Sequence, residues 1–387
     1  MKSIRPFLVL AALIAVAPAA LAQQSGSFVV RLGTDTTSVE RYTRTAQKIE
    51  VEQVGRVPRV LHRKFTFELA PSGAMTHASA TVVAPGAPAG APPFQLFDAS
   101  VTGDSVIVTI KQDTTLRTLR VAFPAGAMIA SNASPWGLYE GQTMKLAASK
   151  QDSLRVPLYQ FGAGSMSSLL VQRLGKDSMV VQTLNDRYHA RVDAQGHIQG
   201  VRFVSGTQGY NVTRLASLDV PATATAWAAR EKASGAMGQL STRDTTRANL
   251  GGAAMWVDYS RPSKRGRVIF GELVPYGQVW RTGANSATQL RTDKNLQIGG
   301  VTLPAGVYSL FTIPNAKEWT LIINSETGQP GTAHKPDKDL QRIPMKVTTL
   351  TQPVERFTIG VAPAGSGGVL SMEWDNTRAE VPFTVVP

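Results

Sequence analysis

The sequence predicts an all-β protein. An N-terminal large antiparallel sheet, long enough to curl into a half-barrel, is followed by a C-terminal β-sandwich or jelly-roll-like domain, with short helices in the linker. Three observations predict this. Period-two alternation dominates from Phe28 to about Val220, turn signals recur at hairpin spacing, and four of the six tryptophans fall after Leu250 among short apolar runs.

The first 22 residues read as a secretory signal peptide. Lys2 and Arg5 form a basic start, Phe7 to Ala17 an apolar stretch, and Ala20-Leu21-Ala22 a small-residue cleavage site before Gln23. The expectation is therefore a periplasmic or secreted protein. The chain has no Cys, which excludes disulfides, thiol nucleophiles, thiolate metal sites and the lipid-bearing cysteine of a lipoprotein. No later run reaches the ~18 uninterrupted apolar residues of a spanning helix, so no transmembrane segment is expected.

Residues 23–220 form the first expected domain. Arg59–Leu69, Ser105–Lys111 and Leu116–Phe123 alternate polar and apolar residues, and Pro71-Ser72-Gly73, Thr102-Gly103-Asp104 and Ala194-Gln195-Gly196 punctuate them. Arg187 to Phe203 reads as one hairpin. Ala84 to Pro93 is a Pro-rich loop, and a helical turn is expected around Ser131 to Leu138. In texture this region resembles the half-barrel carriers of lipoproteins and lipids. Residues 221–247, rich in Ala, Thr and Ser, read as a partly helical linker, and residues 248–387 as the second domain.

The formal charge is +13, falling to about +11 once Lys2 and Arg5 leave with the signal peptide. In an exported protein this favours anionic lipid or acidic polysaccharide as partner, and argues against nucleic acid. Arg41, Arg44, Arg56, Arg59, Arg63 and the arginines from Arg117 to Arg191 lie in alternating runs and read mostly as solvated strand faces. Cations cluster in one place, between Tyr259 and Asn285. There Arg261, Arg265, Arg267 and Arg281 accompany Tyr276 and Trp280. Guanidinium forks grip carboxylate, sulfate or phosphate, and aromatic rings stack on sugars or on the guanidinium itself. Arg261, Arg265, Arg267, Tyr276, Trp280, Arg281 and Asn285 are therefore the candidate ligand-binding residues. The plainer reading of the same residues is that they brace a long loop through cation–π stacks and ion pairs with Asp258, Glu272 or Asp293.

Longer strings sharpen the C-terminal half. Tyr259-Ser260-Arg261-Pro262 through Gly271, Leu273-Val274-Pro275-Tyr276-Gly277-Gln278-Val279-Trp280-Arg281-Thr282-Gly283-Ala284-Asn285, Leu303-Pro304-Ala305-Gly306 through Pro314, and Met372-Glu373-Trp374 resemble the bacterial family known as domain of unknown function 2911. The resemblance covers about residues 248 to 387 and implies an exported, β-rich module without assigned activity. At Gln329-Pro330-Gly331-Thr332 the chain departs from the family, which usually carries Trp before Gly-Thr.

No catalytic residue is expected. Gly162-Ala163-Gly164-Ser165 lacks the spacing of a nucleophile elbow, and no phosphate-cradling loop or dinucleotide fingerprint occurs. His189 and His197, with Asp186 and Asp193, flank a turn, but Asp193-Ala194-Gln195-Gly196 is ordinary turn chemistry. His334 sits in a polar loop. Hence no metal and no cofactor is expected. The leading functional expectation is a non-catalytic envelope module that binds an anionic or amphipathic ligand. A polysaccharide-acting hydrolase with unidentified carboxylates and a structural scaffold are the alternatives.

Overall fold

The computed structural model describes residues 23–87, 90–131 and 135–386, so the expected signal peptide lies outside the described residues. The described residues form two sheets, one of 15 strands and one of 9, antiparallel throughout except where the edge strand Met128–Ala130 runs parallel to Ser153–Gln160. In the first, β1 to β4 span Gln24–Leu32, Asp35–Arg44, Lys48–Gly55 and Leu61–Leu69. Then β5 to β8 span Met75–Val83, Gln95–Thr102, Ser105–Gln112 and Thr115–Ala122. After β9 (Met128–Ala130) and helix α1 (Trp136–Ala147), strands β10 to β12 span Ser153–Gln160, Ser167–Arg173 and Ser178–Gln182. Asp186–Val192, Ile198–Gly206 and Tyr210–Leu215 complete it as β13 to β15.

The strand order, β8 through β1 and then β15 back to β9, puts β8 and β9 at opposite edges. Laid flat, such a sheet would be roughly 65 Å wide at ~4.8 Å per strand. Yet only Phe123 to Ala127 join β8 to β9, a link that reaches at most about 20 Å. The sheet must therefore curl until its edges approach. Accordingly, the Ile129 amide in β9 reaches the Met75 sulfur in β5 at 3.0 Å.

Alternation decides what each face buries. Phe28, Val30, Phe65, Phe67, Ala78 and Leu158 point into the curl and pack with Trp136, Leu138, Tyr139 and Leu146 of α1. On the outer face Val29, Val39 and Val54 pack beneath helix α2 (Val220–Ser234), against Val220 and Ala224. That helix starts on the Asp219 carboxylate, which accepts from the Ala222 amide at 2.9 Å, and stops at Gly235 with φ of 82°. Of the turn expected at 131–138, residues 132–134 lie outside the described residues and Trp136 to Leu138 begin α1. The helix was hard to read because its first turn is buried on every side: Trp136, Gly137, Leu138, Tyr139 and Glu140 all lie inside the curled sheet.

What fixes α1 there is a buried polar cluster. Glu140 is fully buried and accepts hydrogen bonds from the Tyr42 hydroxyl, the Arg214 guanidinium and, at 2.8 Å, the Ile198 amide. Glu40, also fully buried, accepts from the Gly137 amide at 2.8 Å and from Gln53 at 3.3 Å. Arg44 donates to the Gly137 carbonyl and lies 4.0 Å from Glu140. Arg44 is thus turned inward rather than solvated on a strand face.

The second sheet begins in the expected linker. Strand β16 (Ser241–Leu250) pairs along its whole length with β17 (Ala253–Pro262). Its Ser-Thr-Arg-Asp-Thr-Thr-Arg start reads as linker because it is an edge strand and shows polar, β-branched side chains to solvent. Next come β18 (Thr288–Thr292), the β19–β20 hairpin (Asn295–Ile298, Val301–Leu303), β21 (Gly306–Ile313) and β22 (Glu318–Asn324). Two long strands end the sheet, β23 (Asp339–Ala364) and β24 (Gly367–Val386).

This sheet also folds over. Two residues join β18 to β19, yet five strand positions separate them in the order β16-β17-β18-β21-β22-β23-β24-β19-β20. The β23–β24 pair bends through register shifts between Thr349 and Thr358, and Ser263 bridges to Arg356 to bring β17 onto β23. Trp319, Phe357, Trp374 and Met345 fill the sandwich so formed. Among the described residues no helix is long and apolar enough to cross a membrane.

Burial pushes the Glu40 carboxyl up to about 7, against the lowering effect of the Gly137 amide and Gln53. The folded state therefore holds the proton more tightly than the unfolded one. The stability from this group is full below about pH 4.5 and is lost as pH rises through 7. Denaturant melts should show wild type losing about 3 kcal/mol more than Glu40→Gln between pH 4.5 and pH 8. Parallel pH profiles for the two proteins would contradict this.

Candidate functional site

The site lies where the open end of the curled sheet faces the second sheet. Its seam is a backbone contact. In the β1–β2 turn Gly33 has φ of +59°, and a Cβ there would lie 1.8 Å from the Arg265 carbonyl oxygen. The next amide, Thr34, donates to that oxygen at 3.0 Å, and the Arg265 side chain pairs with Asp35. The β1–β2 turn is thus pinned to the 25-residue connection between β17 and β18, the segment that carries the expected cationic cluster.

That connection is shaped by four isolated bridges, Ser263–Arg356, Phe270–Val274, Trp280–Thr312 and Ser286–Pro330. Trp280 exchanges backbone hydrogen bonds of 2.7 and 2.8 Å with Thr312. Its ring stacks on Trp374 at 6.0 Å and meets Phe357 edge-on at 5.0 Å. It is a fixed wall whose exposed side faces the gap between the sheets.

Three cavities of about 500, 660 and 440 Å³ occupy this gap, and Asn185 lines all of them. The first opens into the curled sheet, with Phe65, Phe97, Trp136, Leu158 and Phe161 among its walls and Arg63 and Asp186 as its charged lining. The others are walled by Trp280 and Arg281, and one also by Arg267 and Asn285. Val57, Gln208 and Tyr210 line both the inner cavity and the one at Arg267.

The seven expected residues divide. Arg267, Trp280, Arg281 and Asn285 come together on the cavity wall. Arg261 instead braces the sandwich, donating to Asp244 at 2.9 Å, the Phe357 carbonyl at 3.0 Å and Thr358 at 2.7 Å. Arg265 holds the seam. Tyr276 is 45% exposed and packs over Gly271, away from the cavities. The two histidines of the expected hairpin do not converge: His197 is tied to Asp193 at 2.9 Å, while His189 pairs with Arg202 across β13 and β14. His334 is not loose in solvent but bonded to Asp339 at 2.8 Å.

Electrostatics single out two arginines. Among the described residues Arg267 donates only to the carbonyls of Lys264 (3.0 Å) and Ser263 (2.5 Å), and burial, with Arg265 beside it, pushes its guanidinium down to about 10 against the attraction of Glu355. Arg281 makes one weak hydrogen bond, 3.4 Å to the Asn285 carbonyl, and burial lowers it despite the attraction of Asp186. Among the described residues neither has a carboxylate within 4.0 Å. Asp186 is spent elsewhere, accepting from the Thr207 and Gln208 amides at 2.7 and 2.9 Å. Burial raises its carboxyl above the usual range all the same. Sequence reasoning missed Arg63, Asp186 and Tyr210 as members of the site.

Comparison with known proteins bears on the second sheet. Residues 241–383 match the family described as Protein of unknown function (DUF2911). The DUF2911 region thus begins at the first residue of β16 and includes the Arg267–Asn285 wall. No curated protein matches the chain. Among solved structures, a DUF1089 family protein from Pseudomonas aeruginosa is similar at 12% identity and a TM-score of 0.31, over 43% of this chain and 90% of that one. A β-barrel-like protein of domain of unknown function DUF1849 from Brucella abortus is similar at 11% identity and a TM-score of 0.32, over 50% of this chain and 94% of that one.

Replacing Gly33 with Ala sets a methyl group against the Arg265 carbonyl and strains the turn. The variant is expected to lose about 2 kcal/mol and to exchange the Thr34 amide at least tenfold faster. Unchanged exchange in hydrogen–deuterium measurements would show that this contact does not hold the seam.

Proposed function

We propose that this is an exported, non-catalytic binding protein of the cell envelope whose gap between the sheets takes an anionic amphipathic ligand. The observation that carries this reading is the pair Arg267 and Arg281. Two half-buried guanidiniums face a cavity with no carboxylate in ion-pair range, at the mouth of an apolar trough. Removing a guanidinium from water with only neutral carbonyl partners is costly, and an anion that accepts its remaining N–H groups offsets that cost. Phe65, Phe97, Trp136, Leu158 and Phe161 favour an apolar body on the same molecule over a uniformly polar acidic glycan. Export rests on the first 22 residues.

Asp186 is the one carboxylate among the described residues lining these cavities. The pair of acids that polysaccharide cleavage requires is not assembled there, and no observation favours that alternative.

Binding is tested by calorimetry of the purified chain with a long-chain fatty acid or phosphatidylglycerol against a neutral detergent of equal chain length. The anionic probes should bind more tightly, and Arg267→Gln and Arg281→Gln should each weaken them about tenfold, about 1.4 kcal/mol. Equal affinity for the neutral probe would sink the reading. For export, N-terminal sequencing of protein recovered outside the cytoplasm is expected to start at Gln23; an intact Met1 would refute it.

A further inference from the structure

The charge lining the gap sets a narrower ligand class than an anion in general, and Arg63 decides it. Arg63 lies on β4 opposite Gln53 of β3 and Val82 of β5, all three lining the inner cavity. Among the described residues its guanidinium has no hydrogen bond and no ion pair, and it rests over Gly55, where a Cβ would meet it at 2.6 Å. Burial lowers its pKa with no neighbouring charge to raise it.

The adjoining cavities, which share Asn185, are therefore lined by three guanidiniums, Arg63, Arg267 and Arg281, against the single carboxylate of Asp186. Of the other charges nearby, Arg265 is paired with Asp35, and Glu355, exposed and accepting from the Arg265 amide at 2.9 Å, attracts Arg267 but lines none of the cavities. The lining itself thus carries two more positive than negative charges in a partly desolvated site. A single monoanion neutralises one and leaves the other. We infer that the ligand carries two negative charges on its head, as a phosphate monoester does, with the head between Arg63 and the Arg267–Arg281 wall and the apolar part in the curled sheet. This deepens the amphipath reading and rests on it.

The shared chemistry is a phosphate monoester, and its source is a lipid or a soluble phosphate. Tryptophan fluorescence and calorimetry on the full chain at pH 8 separate them. The probes are an acylglycerol phosphate, the fatty acid of the same chain, the matching lysophosphatidylcholine and unacylated glycerol 3-phosphate. The acylglycerol phosphate should bind at least tenfold more tightly than the fatty acid, and glycerol 3-phosphate far more weakly than either. Arg63→Gln should cut that preference to threefold or less. If this variant does not fold, wild type still decides: a phosphate monoester loses its second charge near pH 6, so the preference should shrink at pH 5.5. Equal binding of phosphate and fatty acid, or a preference unmoved by both Arg63→Gln and pH, overturns the dianion while leaving the amphipath. No binding of any acylated anion overturns both. Glycerol 3-phosphate binding as tightly as its acylated form keeps the dianion and removes the apolar requirement.

Discussion

The structure depends on the seating of α1 by Glu140. A curled sheet of this size has an interior too wide to be filled by its own strand side chains, so something must plug it. The plug is one helix, and it brings a carboxylate with it. An unpaired carboxylate there would be very costly, but Glu140 receives Tyr42, Arg214 and the Ile198 amide, contributions from β2, β15 and the first residue of β14. Apolar packing alone would tolerate a helix sliding or rotating inside a greasy lumen; a carboxylate with three donors on separate elements does not. The helix therefore fills one part of the curl and leaves the other open, and Trp136 and Tyr139 of its first turn become cavity wall.

From that constraint the geometry of the site follows in two steps. The open end must face something, and the β1–β2 turn carries the contact: Gly33 allows the backbone approach to Arg265, which no side chain would permit. The chain leaving Arg265 then runs directly into Arg267, while Trp280, clamped to Thr312, presents Arg281 from the other side of the same loop. The two guanidiniums thus belong to one sheet, the apolar trough to the other, and neither sheet alone has both.

Local patterns were legible where one face is buried and the other wet. The hairpins around Gly73, Gly103 and Gly196 follow from alternation and turn residues, as do β17, β21 and β22. What escaped has a common physical cause, burial or exposure on both sides. The first turn of α1 is surrounded, so it lacks an amphipathic face; β16 is polar on both faces because it is an edge. Arg63 is the instructive case. Its place in an alternating run groups it with solvated arginines, yet it stands two residues before Phe65 and four before Phe67, in phase with the apolar face of β4. That phase was visible in the sequence, and a cation on the buried side of a strand is the kind of exception that marks a site. The seam was not visible at all, since Gly33 and Arg265 are 232 residues apart and nothing local in either requires the other.

The excess of basic residues takes its meaning from how each guanidinium spends its donors. Arg261 is consumed by Asp244, Phe357 and Thr358, Arg265 by Asp35, and Arg214 by Glu140. These are cations that the fold itself neutralises, and they would be present in a protein that bound nothing. Arg63, Arg267 and Arg281 are different because, among the described residues, the fold lowers their solvation without bringing a carboxylate into ion-pair contact. Stability alone gives no reason to keep them: apolar residues of similar volume would fill the same positions at lower desolvation cost. A destabilising arrangement repeated on three elements, β4 and both halves of the β17–β18 connection, and converging on adjoining cavities is what a binding site for an anion requires. Net charge alone could not distinguish this from a uniformly basic surface; the placement of the unneutralised charges does.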